Sequence, residues 1–170
     1  IINYSDQAVK KNKKSIFLAG STSRDRNTES QRTTACKRLS ELGFDGVVKV
    51  SEYQPETKAD YVDRAMCERG ALTNSTVIMF WIPRSLPDIP AFAVNVEFGY
   101  WLHSGKIIYG RLTDAKKKLF RLLYQEDYEK IPIDNLEELL KQSIILADKL
   151  YNEKSTEIFS LSKRKNLERE

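Results

Sequence analysis

Thr76-Val77-Ile78-Met79-Phe80-Trp81-Ile82 is the most apolar stretch of the chain. It is continuous rather than alternating, the pattern of a central strand covered on both faces. Working outward from it, Ser15–Ala19 (SIFLA) is a short apolar run ending in Gly20 and reads as a buried strand. Val47–Val50, after the Asp45-Gly46 turn, and Lys106–Tyr109 read as two more, and Lys130–Ile133 as a short fifth. Helical spacing fills the intervals. Glu29 to Leu42 carries Ala35, Leu39 and Leu42 and stops at Gly43; Lys58 to Leu72 sets Tyr61, Ala65, Met66 and Leu72 near one face. Val94 to Ser104 turns Val94, Phe98, Trp101 and Leu102 inward, and a helix capped by Thr113 runs through Tyr124 with Leu119, Leu122 and Leu123 inside. Asp134 with Glu137 resembles a capping box opening a last helix from Asn135 to about Tyr151.

Strands alternating with helices predict βαβ units: an α/β protein with an open five-stranded parallel sheet, strand order 2-1-3-4-5, and helices on both faces. A polar segment, 1–14, precedes a single domain over 15–153, and a basic tail, 154–170, follows it. There is no internal repeat and no low-complexity linker.

Composition narrows the function classes. The 170 residues are 41% hydrophobic and 31% charged, the balance of one globular domain. No apolar run approaches the roughly 20 residues of a membrane span. The start, Ile1 to Ser15, is polar and lysine-rich without the apolar core of a secretory signal, so a cytoplasmic location is expected. Cys36 and Cys67 fall in helices and read as reduced thiols. His103 is the only histidine and no cluster has zinc spacing, so neither metal nor cofactor is expected. The net charge of +4 sits in lysine runs at 10–14 and 116–118 and in the tail, without the aromatic interleaving of a stacking platform. A small anionic molecule is the expected partner, and a nucleic-acid polymer is not.

In parallel sheets ligands bind beyond the carboxyl ends of the strands. That rule selects the loops 20–26, 51–54 and 83–95. Gly20, Ser21, Thr22, Ser23 and Arg24 offer free N–H groups, hydroxyls and a guanidinium, the donors a phosphate or sugar needs. The loop lacks both the P-loop lysine and the G-x-G-x-x-G spacing. Glu97 stands in Asn95-Val96-Glu97-Phe98-Gly99-Tyr100-Trp101, in the first turn of its expected helix, where the helix N-terminus keeps a carboxylate ionised. An ionised carboxylate is what attacks an anomeric carbon, although most first-turn glutamates serve only the helix dipole. Glu52 follows the second strand directly. Glu68 lies on the second helix, where a surface charge is the plainer reading. Trp81 ends the central strand, a core residue first but able to form a stacking wall for a base.

Ile16-Phe17-Leu18-Ala19-Gly20-Ser21, Phe80-Trp81-Ile82-Pro83, Asn95-Val96-Glu97-Phe98-Gly99-Tyr100, Gly105-Lys106 and Tyr109-Gly110-Arg111, in that order, resemble the nucleoside 2-deoxyribosyltransferase family, in particular its transferase-like branch. The resemblance runs from about Ile16 to Tyr124, about two-thirds of the chain. It implies a flavodoxin-like or Rossmann-like fold and a homo-oligomer. The family's nucleophilic Glu corresponds to Glu97, which would take the glycosyl group from a nucleoside and pass it to a second base or to water. Related nucleotide hydrolases hold a 5′-phosphate with the first Gly/Ser loop, a role that would fall to Ser21, Ser23 and Arg24. Trp81 and Pro83 would line the base pocket. Ser75 stands where the transferases carry an Asp that handles the base. Their sugar-binding Asp falls near Ala91, with Asp88 the nearest carboxylate, so glycosidic cleavage is more strongly implied than transfer. Two rivals are a non-catalytic nucleotide-binding module and an NAD-type glycohydrolase. Self-association is expected through Phe98, Trp101, Ile144, Ile145 and Tyr151.

Overall fold

A computed structural model describes residues 2–3, 13–20, 31–51, 58–82, 92–112, 119–126 and 128–167. In chain order the elements are β1 (Ile2–Asn3), β2 (Ser15–Gly20), α1 (Gln31–Glu41), β3 (Val47–Val50), α2 (Lys58–Thr73), β4 (Val77–Trp81), α3 (Phe92–Trp101), a 3-10 turn at Leu102–Ser104, β5 (Ile107–Gly110), α4 (Leu119–Glu126) and α5 (Leu136–Leu167). The sheet runs β1-β3-β2-β4-β5, all neighbours parallel. Its four longer strands stand in the expected order, 2-1-3-4.

The expected fifth strand is not there. Residues 130–133 contribute one parallel bridge, Gly110 to Ile133. Ile133 donates to Tyr109 O at 3.0 Å and accepts from Arg111 N at 2.8 Å. Pro132 has no N–H to extend the ladder, and the chain enters α5 three residues after Ile133. The remaining sheet strand is instead β1, at the opposite edge beside β3, within the segment expected only to be polar.

Continuous apolar strands segregate their side chains by alternation. Phe17 and Ala19 of β2, Ile78 and Phe80 of β4, and Ile107 and Tyr109 of β5 join Ala71, Leu72, Val94, Phe98, Leu102 and Tyr124 in one core. Ile16, Leu18, Val77, Met79, Trp81 and Ile108 join Ala35, Cys36, Leu39, Leu139, Leu140 and Ala147 in the other. So α2, α3 and α4 cover one face, and α1 and α5 the other. At α1's end Gly43 takes a left-handed φ of 80°, and Phe44 N donates back to Leu39 O at 3.0 Å.

Four local expectations change. In α2, Ala65 and Met66 are exposed, the buried residues among those described are Ala71 and Leu72, and the Tyr61 side chain lies outside the described ones. The cap of α5 is Asn135, whose Oδ1 accepts from Glu138 N at 3.1 Å, while Glu137 reaches across to Arg38 at 2.6 Å. The helix itself continues to Leu167, beyond the expected end at Tyr151, because no Gly or Pro interrupts 136–167. Phe98, expected at an interface, has no exposed surface. Thr113 lies outside the described residues. Cys36 is buried, Cys67 is exposed, and both are free thiols. Among the described residues no helix is long and apolar enough to cross a membrane, and no group of three His, Cys, Asp or Glu could hold a metal ion.

Candidate functional site

The carboxyl ends of β2, β3 and β4 lie side by side at Gly20, Ser51 and Trp81. Gly20 pairs with Trp81, and a Cβ on it would fall 2.2 Å from Trp81 O. Its φ of +148° also suits only glycine. Two residues of α1's first turn tie this edge together. Arg32 Nη2 donates to Gly20 O at 2.7 Å, and its Nη1 donates to Ser51 O. Trp81 Nε1 donates to Gln31 Oε1 at 2.9 Å.

Of the residues selected from sequence, Ser21, Thr22, Ser23, Arg24, Glu52, Pro83 and Asp88 lie outside the described residues. Gly20 is at the strand edge, as expected. Glu97 is not in the first turn of its helix. Since α3 begins at Phe92, Glu97 is the sixth residue, about 7.5 Å along the axis. The attraction of a helix N-terminus fades within one turn, so the dipole does not account for an ionised carboxylate there. Its position is nevertheless well fixed. The next residue, Phe98, meets the rings of Phe80 at 5.2 Å, Tyr109 at 5.1 Å and Tyr124 at 6.2 Å. Burying such a ring stabilises by roughly 2–3 kcal/mol, and it holds α3 on β4 and β5. Glu97 and Asn95 flank this buried stripe on opposite sides, both half-buried.

Trp81 is not a wall beside Glu97. Alternation along β4 sends Phe80 towards α3 and Trp81 to the α1/α5 face, where the residue is 8% exposed. The described part of the crevice around it is lined by Gly20, Gln31, Arg32, Met79, Trp81 and Leu136 and has about 20 Å³ of room, far less than a ligand pocket needs. Glu68 is also not brought to this edge. It lies ten residues, about 15 Å, down α2 from Lys58, about a turn and a half before the helix's carboxyl end.

Gln31 and Arg32 escaped sequence reasoning. The available signal was their place in the first turn of the helix after the Gly/Ser loop, where side chains can reach back to the strand ends.

At the sheet's amino end two lysines reach the end of α2. Lys49 of β3, with no exposed surface, donates to Asn74 O at 3.0 Å and Ala71 O at 3.4 Å. Lys106 donates to Leu72 O at 2.8 Å, Thr73 O at 3.0 Å and Ser75 O at 3.3 Å, and lies 4.3 Å from the Trp101 ring centre. Both ammoniums thus cover the negative end of α2. Burial pushes both down to about 8, with Lys49 further lowered by Lys106, and Lys106 by Lys154.

Comparison with protein-family models gives no match, and comparison with curated proteins gives none.

Proposed function

We propose that the chain cleaves or transfers the N-glycosidic bond of a nucleoside or nucleotide, with Glu97 as nucleophile, on a flavodoxin-like sheet. The observation that carries this reading is Glu97 itself: a half-buried carboxylate on a helix anchored through Phe98, in the first helix after the central strand. In the proposed reaction the carboxylate attacks the anomeric carbon as the bond to the base breaks. The base leaves with the electron pair and takes up a proton, and a glycosyl ester of Glu97 remains. Water, or a second base, then attacks the same carbon and releases the carboxylate. Ser21, Thr22, Ser23 and Arg24 are the proposed phosphate or sugar donors. Glu52, Pro83 and Asp88 are proposed to complete the site, with Asn95 on the same helix as the nucleophile.

The working assembly is proposed to be a homo-oligomer. With Phe98 in the core, the exposed apolar side chains on the described helices are Val62 and Met66 on α2, Val96 and Tyr100 on α3, and Ile145 on α5, each more than half exposed. Sedimentation at micromolar concentration tests this, and a monomer would contradict it.

The catalytic reading is tested by incubating the protein with deoxynucleosides, deoxynucleotides and NAD and following released base by chromatography. Glu97→Gln keeps the size of the side chain and removes its charge. Turnover should fall roughly a thousandfold or more, on the order of 4 kcal/mol of barrier. The variant should melt close to the wild type, because a second-turn Glu draws little from the helix dipole. Near-normal turnover by this variant on a confirmed substrate would end the proposal.

A further inference from the structure

A second cavity lies away from the carboxyl end of the strands. It has a volume of about 460 Å³ and opens at the amino end, between the loop leading into β4 and the middle of α5. Ser15–Gly20 spans the sheet, so this cavity is about 17 Å from Gly20. Thr73, Asn74, Ser75 and Thr76 form one wall, Leu150, Tyr151, Lys154 and Ser155 another, and Lys13 and Lys106 complete the lining. Three cationic side chains line it, and among its described lining residues there is no Asp or Glu.

The alternative of a cation is disfavoured by what the carbonyls already do. The acceptors at α2's end, the carbonyls of Ala71, Leu72, Thr73, Asn74 and Ser75, are taken by Lys49 and Lys106. The field that a bare helix end would turn against an anion is thereby reversed. Lys106 spends its donors on carbonyls, so it contributes charge rather than direct contacts. Lys13 and Lys154 are exposed at the rim, and the Thr76 hydroxyl, which accepts from Ser15 N at 3.0 Å, still has its proton to donate. The volume lies within the roughly 300–1,000 Å³ of small-molecule sites.

We propose that this cavity binds a small phosphate-bearing molecule, held by the ammonium groups of Lys13 and Lys154 and attracted by the charge of Lys106. A concave site of this volume suits a soluble phosphate compound better than a headgroup within a lipid surface.

Pyrophosphate is the probe, titrated into the full chain at low salt with amide resonances as the readout. Saturable shifts are expected at 73–76 and 150–155, weakening as salt is added. Lys13→Ala combined with Lys154→Ala, both at exposed positions, should leave the fold intact by circular dichroism and weaken binding roughly tenfold or more, the loss of two charge-assisted contacts. No saturable binding, shifts centred elsewhere, equal affinity in the double variant, or binding only to vesicles of anionic lipid would each overturn the proposal. The measurement does not use turnover, so it stands or falls independently of Glu97.

Discussion

At the carboxyl end of the sheet, β2 and β4 approach so closely that Gly20 has no room for a Cβ. At the amino end, two whole lysine side chains are inserted beneath the end of α2. One end is held by backbone packed against backbone, the other by lysine ammoniums on helix carbonyls. The difference has physical consequences. Backbone packing is insensitive to pH but intolerant of a single added carbon, whereas a buried ammonium tolerates an apolar replacement of equal volume but responds to protons.

The sharpest way to break this contrast is Gly20→Ala. The new methyl would meet Trp81 O, and the φ of +148° would strain any L side chain. A loss of roughly 3 kcal/mol or more is expected by chemical denaturation. A variant as stable as wild type would mean that β2 can move away from β4 without cost.

How much of this was legible in the sequence follows from the same contrast. The four longer strands and their order could be read because Thr76–Ile82 and Ser15–Ala19 are apolar on both faces, a local signal. Gly20 could be read as a strand end, but not its clash with Trp81, which depends on a partner 61 residues away. The strand at 130–133 was misread because an apolar run weighed more than the missing N–H of Pro132. The first-turn placement of Glu97 failed because Phe92 and Ala93 carry no capping signal, so the helix start could not be fixed to within two residues. Nothing local in Val47–Val50 marks Lys49 as special. Only tertiary structure reveals that its aliphatic stem is buried and its ammonium reaches the carbonyls of α2.

At the amino end, Lys49→Met keeps the volume and removes the charge. Asn74 O loses its lysine donor, Ala71 O keeps the Ser75 hydroxyl at 2.6 Å, and the cost of burying an ammonium disappears. These effects oppose each other, so the net change at pH 7 should stay within about 1.5 kcal/mol. The informative readout is the pH dependence. Folded Lys49 and Lys106 lose their protons near 8, while the unfolded side chains hold theirs to about 10.5. Between those values the unfolded chain binds more protons, so stability rises with pH from about 8 to 10. Above about 10 the trend should reverse, because burial holds the Tyr124 phenol up to about 12 and the unfolded tyrosine ionises first. Thermal melts across this range should show the rise in wild type and a smaller rise in Lys49→Met. A flat wild-type profile would mean that the carbonyl acceptors fully offset burial.

The smallest effect belongs to a contact at neither end. Arg38 joins α1 to α5 through Glu137, with Nε to Oε2 at 2.6 Å and Nη2 to Oε1 at 2.8 Å, and Nη1 reaches Glu41 at 2.7 Å. Its geometry is bidentate, the favourable kind, yet the Arg38 side chain is 45% exposed and water competes for every charge. The guanidinium holds the Glu137 carboxyl below its ordinary range, so whatever this pair contributes is present above about pH 4.5 and is lost as pH falls through the lowered value. Arg38→Ala should therefore shift the melting temperature by only about a degree or two at neutral pH. The difference should vanish in molar salt, where the screening length is about 3 Å. It should also shrink in acid, where Glu137 is protonated with or without its partner. If instead Arg38→Ala proved as damaging as Gly20→Ala, and remained so in salt, the pair would be acting as a buried clamp between α1 and α5. The contrast between an end held by packing and an end held by charge would then no longer describe what holds this sheet together.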